Sequence, residues 1–513
     1  MRSENIYKKM KSLFKAVALI TFFTVITRFL GFLFKIYLSR EIGAEALGVF
    51  QVALSIFTVL LTFVASGMPL IISKISSSLR AKGETKKEGA MVSTALIASL
   101  VVAVSTCLIV LLFNGVLKTI FTDERCILIL ILLLPAVIFN AIYSTFRGWF
   151  WGQSNYLAVC LVELFEQVAR IIIFVIMIGG ALSVLDGAVT SAVSLTIACF
   201  FSAGLCTVLY FVYGGRLKKP KGFAKDLIKS STPITFVRVV SSLIQPVIAI
   251  IIPLRLVAAG MGSADAMSLF GVAFGMTLPF LFIPSALIGS LGMALVPDLS
   301  TAVAQNDKGH IENRITASIV VSLFISFLFV PIYMGAGEGI GMFFFDNADC
   351  GKMLVWSAWI MVPIGLTNIT SSILNSLGYE VKSMKNYIIG GVVMLVCIWV
   401  LPAYIGIYSV VVGMGLCMVI STVLNIRMIN KITTSKSRVA KSTFLMAICC
   451  VPVASLVSFS TSLLSHFMPM FFNLAISCSL GLAAFLALCQ VFDLIDIRLW
   501  FINFKQKFKK KIA

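Results

Sequence analysis

Charge is what this sequence has least of. Only 12% of its 513 residues are Asp, Glu, Lys or Arg, about half the usual share of roughly 25% in soluble globular proteins. A soluble domain is thereby excluded. Apolar runs recur almost without interruption and the hydrophilic stretches between them are short, so no loop can hold a separate core and a large extramembrane catalytic domain is excluded as well. Histidine is nearly absent: His310 and His466 are the only two, and they fall in predicted loops on opposite faces. The 12 cysteines form no CxxC pair and lie mostly in apolar runs, where they read as small hydrophobes, so no metal site is expected. The glycine-rich stretch from Gly335 to Gly341 fits neither a dinucleotide fold nor a P-loop and reads as a flexible loop outside the membrane. No ATP-binding motif is present, no cofactor is expected, and energy for any transport must come from a membrane potential, an ion gradient or product removal.

Acidic residues are scarce too, 21 against 41 Lys and Arg, for a net charge of +20. In a soluble protein that would suggest nucleic acid. Here the basic residues gather in short loops beside apolar spans, with no zinc-ligand array or aromatic-basic motif, so the positive-inside rule and anionic membrane lipids account for them and no nucleic-acid partner is expected. Such lipids are drawn above all to Lys218, Lys219, Lys221 and Lys225 and to the tail from Lys505 to Lys511.

What remains is 59% hydrophobic. A window of about 20 residues places spans near 13–38, 46–72, 90–113, 127–146, 157–179, 184–213, 231–253, 267–294, 315–334, 353–376, 387–401, 405–426, 442–463 and 469–492, about fourteen in all. The expected fold is an all-α polytopic membrane protein. Lys8, Lys9, Lys11 and Lys15 precede the first span, but its apolar run is longer than a signal core and has no evident cleavage site, so it is expected to remain a transmembrane helix. An even number of spans puts both termini on one side. The loops of that side carry 32 Lys and Arg and the opposite loops five, which predicts a plasma-membrane protein with both termini in the cytoplasm.

The chain also repeats itself. The stretch around Arg28 (VITRFLGFL) is followed by a span running from Gly48 to Ser76, and the stretch around Arg238 (ITFVRVVSSL) by one from Gly271 to Ser300. The two spans differ in length by one residue, and each has a proline near its end and closes on serine. A looser echo joins FWGQSNY at 150–156 to SLGYEVKSMKNY at 376–387. This predicts two six-helix lobes, residues 1–213 and 214–430, with helices 13 and 14 and a basic cytoplasmic tail in 431–513, the parallel-repeat plan of alternating-access transporters.

The order TRFLGFLFKIYLSREIGAEALGVFQ, SGMPLIISKISS, FRGWFWGQSN, LVELFEQVARI, TPITFVRVVSSLIQPVIAIIIPLRL and PSALIGSLGMALVPDLS resembles the stage V sporulation protein B and polysaccharide-export group. That group belongs to the multidrug/oligosaccharidyl-lipid/polysaccharide (MOP) exporter superfamily. The resemblance covers essentially the whole chain and implies flipping of lipid-linked anionic saccharides, such as peptidoglycan precursors, from the inner to the outer leaflet. Lipid II flippases of the MurJ type are similar at greater distance; their first helix typically carries a basic-acidic pair where this chain has Phe34-Lys35.

A charge at a helix centre costs about 2.5–3.5 kcal/mol on insertion scales and therefore calls for a functional hypothesis. Arg28 lies halfway along the first span. Lys35, two turns on, shares nearly the same face, and Arg238 holds the corresponding place in the second repeat. Together they can line a path that attracts a diphosphate, arginine offering a planar fork to its oxygens. The alternative has Lys35 snorkelling outward and each arginine tied to a nearby acid or carbonyl. Arg255, at an outer helix end, either receives the headgroup after the switch or is an ordinary loop charge. Glu163, Glu166 and Arg170 share one helix face. Glu166 and Arg170 can pair internally, which leaves Glu163 as a structural salt bridge to another helix or as a carrier of the coupling ion, proton or sodium. Arg147, Trp149, Trp151 and Gln153 read as an interfacial belt. Three rival functions are a drug/cation antiporter of the same superfamily, an intramembrane glycan enzyme and a non-transporting envelope-assembly protein. The first needs buried acids in excess of bases, and the second needs acids or histidines aimed at an outer cavity.

Overall fold

The computed structural model describes residues 2–179, 183–220, 222–305, 307–431 and 436–492; Lys221 and the basic tail from Lys505 to Lys511 lie outside them. Every regular element among the described residues is helical, as a bilayer requires of a chain that closes no barrel, because each backbone N–H and C=O must be satisfied within its own segment. The chain divides into two compact units, Met1–Gly275 and Met276–Ala513.

The first unit begins with α1 (Arg2–Ala65), broken at Gly43, whose φ of 75° and ψ of 173° are outside the helical range and suit a residue without Cβ. Then α2 (Met68–Ala81) starts behind Gly67 with a proline in its first turn, where the missing N–H is no loss. There follow α3 (Thr85–Leu112), the short α4 (Asn114–Ile120), α5 (Arg125–Gly152), α6 (Tyr156–Ile178) and α7 (Val184–Val212). Asn155 caps α6 by accepting the Ala158 N–H, and Ser183 caps α7 by accepting that of Asp186. The unit closes with α8 (Ala224–Ser242), α9 (Ile244–Ala258), α10 (Ser263–Phe270) and most of a π-helix, Gly271–Thr277, that contains the division between the units. Its core gathers Ile72, Met91, Phe146, Trp149, Phe150 and Tyr210. Trp149 is only 4% exposed and meets Tyr210 edge-on at 4.8 Å, which corrects its expected place in an interfacial belt. The reason is Gly148: a Cβ there would stand 2.8 Å from the Pro69 backbone, so α5 and α2 close over the tryptophan.

The second unit runs α11 (Leu278–Ala304), α12 (Lys308–Phe345), α13 (Ala348–Ser357), α14 (Met361–Ser376), α15 (Glu380–Val400), the one-turn α16 (Pro402–Ile405), α17 (Tyr408–Ile429), α18 (Lys436–Leu464) and α19 (Met470–Val491). The glycine-rich stretch from Gly335 to Gly341, expected as an outer loop, lies inside α12. Its glycines are sites of close approach. A Cβ on Gly335 would be 2.7 Å from the Ala454 carbonyl oxygen, and one on Gly341 would be 2.3 Å from the Gly351 nitrogen. Packing of α13 and α18 against α12 therefore offsets the low helix propensity of glycine.

Twelve helical stretches among the described residues are long and apolar enough to cross a membrane. The first, Phe22–Ala81, has 60 residues, about 90 Å if straight and roughly three hydrocarbon thicknesses, and its break at Gly43 divides it into two crossings. A further helix, α6, has the length of a span but carries Glu163, Glu166 and Arg170. Membrane-length helices thus number about fourteen. All twelve cysteines are free.

Candidate functional site

In the first unit, a polar seam runs where α6 packs on α1, α5 and α7. Spacing builds it. Glu163, Glu166, Gln167 and Arg170 fall three and four residues apart on α6, and Arg28, Gly31 and Lys35 do the same on α1, so each set forms one stripe. Gly31 faces the α6 stripe, where a Cβ would make ordinary contact with the Gln167 amide at 3.9 Å.

Arg28 is exposed along its helix, and no carboxylate among the described residues lies within ion-pairing distance of it. Lys35 is half-buried and donates from Nζ to the Phe274 carbonyl at 3.2 Å. That carbonyl belongs to the π-helix, whose wider turn shifts the backbone bonding from the α pattern. The guanidinium of Arg170 stands 5.0 Å over the ring of Phe34, a cation–π contact that holds a charge without neutralising it. Its Nε and the Gln167 Nε2 are buried donors with no hydrogen-bond partner among the described residues. Glu166 stands one turn from Arg170 on the same face, and the Ser202 hydroxyl of α7 donates to the Cys199 carbonyl at 3.1 Å. Arg170 is close enough to act electrostatically on both Glu166 and Lys35.

Glu163 is occupied from another helix. The Tyr143 hydroxyl donates to its Oε1 at 3.1 Å, and Arg147 reaches the same oxygen at 3.9 Å. Arg147 is held in turn over the rings of Tyr143 and Trp151, at 5.3 and 5.0 Å. Arg238 on α8 lies in the same unit as Arg28 and donates from Nη1 to the Ser66 carbonyl at 2.9 Å. That carbonyl sits in the break between α1 and α2, where Pro69 interrupts the helical ladder. Close packing fixes the arrangement, because a Cβ on Gly67 would be 2.4 Å from the Thr235 hydroxyl. Arg255 is half-buried in the last turn of α9.

Beside Arg238, an apolar cavity of about 590 Å³ opens between α1, α2, α3 and α8, with Phe63, Met68, Val101, Ile228, Phe236 and Val239 among its walls. Nothing in the sequence points to Glu88, which stands in the charged run Glu84 to Glu88 and reads as loop. It is 7% exposed and takes hydrogen bonds from Ser76 at 2.5 Å and Gln153 at 2.7 Å, which ties α3 to α2 and α5. Gln167 was legible in principle through its place on the Glu163–Arg170 face. Tyr143 was not, because its role depends on the α5–α6 crossing.

The family described as "Polysaccharide biosynthesis protein" matches residues 13–303, more than half of the chain. Stage V sporulation protein B of Bacillus subtilis (strain 168) is 24% identical over 424 residues, which are 80% of this chain and 82% of that protein. The structure of lipid II flippase MurJ in an inward closed conformation superposes with a TM-score of 0.73 at 12% identity, over 93% of this chain and 98% of that one. An inward-facing multidrug resistance MATE family transporter of the MOP superfamily superposes with a TM-score of 0.65 at 14% identity, over 80% and 96% of the two chains. At these identities the structural likeness is one of fold.

Proposed function

The chain belongs to the polysaccharide biosynthesis protein family, within the MOP superfamily, and on that premise we propose that it flips a lipid-linked anionic saccharide across the plasma membrane by alternating access. Both termini face the cytoplasm in this reading, which the distribution of Lys and Arg supports. One observation carries the proposal. The α1–α6 seam presents Arg28, Lys35 and Arg170 with two unsatisfied donors, and its nearer acid, Glu166, stands one turn from Arg170. An unsatisfied buried donor costs about 1–3 kcal/mol, and a diphosphate is the ligand chemistry that would satisfy several at once. Arg238 meets the same headgroup, and Arg255 receives it on the outer side. The apolar cavity beside α8 takes part of the lipid chain. Glu163, Glu166 and Arg170 keep the seam's charge balance, and a proton or sodium ion that titrates or binds there couples transport to a gradient.

Support for this reading over a drug/cation antiporter comes from the acids. Such a site needs acids in excess of bases, whereas Glu163 and Glu166 stand among Arg28, Lys35, Arg147 and Arg170, and Glu163 is engaged by Arg147 and Tyr143. The test is translocation of labelled undecaprenyl-diphosphate sugars by the purified protein in liposomes. Transport that falls at least about tenfold in Arg28→Ala, with folding intact, is the expected result. Failure of the wild type to move any such lipid, or efflux of cationic drugs instead, would overturn the proposal.

A further inference from the structure

In the second unit, α15 and α17 lie side by side, and between their adjoining ends is a cavity of about 450 Å³. Lys382, Lys385, Arg427 and Lys431 line it, with no carboxylate among its lining residues. Lys382 and Lys385 are a like-charge pair at i,i+3 in the first turns of α15, where the helix dipole is itself positive and opposes them; Arg427, in the last turn of α17, and Lys431, two residues past its end, are favoured by the negative end of that helix but bring two more cations to the same space. All four residues are exposed, but a topological excess of Lys and Arg does not by itself require that two helices bring four cations to the rim of one cavity.

The same two stripes change character along their length. One turn further into α15 comes Ile389, and one turn further into α17 comes Leu424, both lining the cavity. Because the helices are antiparallel, these apolar residues form a floor on the side where both helices continue into their spans. The cationic rim is also held in place. Lys382 Nζ stands 4.9 Å over the Tyr379 ring, and Asn386 donates to Asn425 at 2.9 Å. Just below, a Cβ on Gly390 would be 2.5 Å from the Cys417 carbonyl oxygen, so the helix pair is closely packed.

We infer that this cavity binds the phosphodiester headgroup of an anionic phospholipid of the surrounding leaflet, with the first methylenes of its acyl chain on Ile389 and Leu424. A phosphate among the four cations relieves their mutual repulsion, and the apolar floor selects a lipid over a free anion.

The test measures binding of fluorescent phosphatidylglycerol to the purified full chain in detergent, with phosphatidylcholine of the same chains and inorganic phosphate as comparison probes. Wild type should prefer phosphatidylglycerol, and inorganic phosphate should not displace it. A K382Q/K385Q/R427Q/K431Q variant should lose affinity at least about tenfold. The substitution Leu424→Trp, which fills the floor and keeps every charge, should weaken lipid binding severalfold and decides the matter if the charge variant does not fold. K82Q/K86Q/K87Q, which removes exposed cations elsewhere, should bind as wild type. Equal binding of phosphatidylcholine, displacement by inorganic phosphate, an equal loss in the Lys82 series or an unchanged Leu424→Trp would each overturn the assignment.

Discussion

Gly48 and Gly271 open the two repeated spans, and in the first unit they meet backbone to backbone. A Cβ on Gly48 would stand 2.0 Å from the Met267 carbonyl oxygen and 3.2 Å from the Gly271 nitrogen; one on Gly271 would stand 2.0 Å from the Ala44 oxygen and 2.8 Å from the Gly48 nitrogen. These atoms belong to helical backbone and cannot rotate aside, so alanine at either position must force the helices apart by more than ~1 Å to reach van der Waals contact. Overpacking typically costs 1–3 kcal/mol, and a clash this short with backbone belongs at the upper end, about 3 kcal/mol. An unhindered Gly→Ala change inside a helix has the opposite sign, a gain of about 1 kcal/mol. Gly204 on α7, with nothing within 4 Å of its would-be Cβ, supplies that control. The double variant Gly48→Ala/Gly271→Ala should cost less than the sum of its parts, because one separation of the helices relieves both clashes. Unfolding of the detergent-purified variants by SDS titration, with thermal denaturation alongside, measures all of this. If Gly48→Ala proved neutral or stabilising, as Gly204→Ala should be, the backbone contact and the reasoning built on it would be refuted.

If Arg28 and Arg238 grip a diphosphate with paired hydrogen bonds, lysine should replace either poorly although the charge is kept; near-normal binding of a lipid-linked diphosphate sugar by both Arg→Lys variants would contradict that. Glu163→Gln should impair liposomal transport less than Arg28→Ala, since Glu163 already has Arg147 and Tyr143 as partners, and the reverse order would exchange their roles. In a cysteine-free background, Lys225→Cys should react with a membrane-impermeant maleimide only from the cytoplasmic side and His466→Cys only from outside; the opposite pattern would invert the topology. Asn425, 1% exposed, donates to Thr370 at 3.1 Å and accepts from Asn386. Asn425→Ala should therefore destabilise the second unit by about 2 kcal/mol, read from the same SDS titration.

Much of the polar seam was legible one helix at a time. The spacing of Glu163, Glu166 and Arg170, and of Arg28 and Lys35, places each set on one face, because helical period alone decides which residues of a single helix are neighbours. What each charge meets was not legible. Glu163 could be read as a salt bridge to another helix or as an ion carrier, and only the crossing of α5 and α6 supplies Arg147 and Tyr143. Lys35 could be read as snorkelling outward, but its partner is a carbonyl in a π-helix more than two hundred residues away.

Composition and hydropathy by themselves determined that this chain lives in a bilayer as a bundle of about fourteen helices. In hydrocarbon there is no other way to satisfy an uninterrupted succession of apolar backbone segments, so length and apolarity are sufficient evidence. Tertiary structure decided where glycine means proximity and where it means freedom. In the stretch from Gly335 to Gly341 the residue type alone allows a loop, and the approach of α13 and α18 makes it a helix; at Gly43 the same residue breaks one. Burial of Glu88 and Trp149, and the gathering of Lys382, Lys385, Arg427 and Lys431 about one cavity, were likewise settled by packing. Each depends on contacts between segments distant in sequence, and a single helix period carries no information about those.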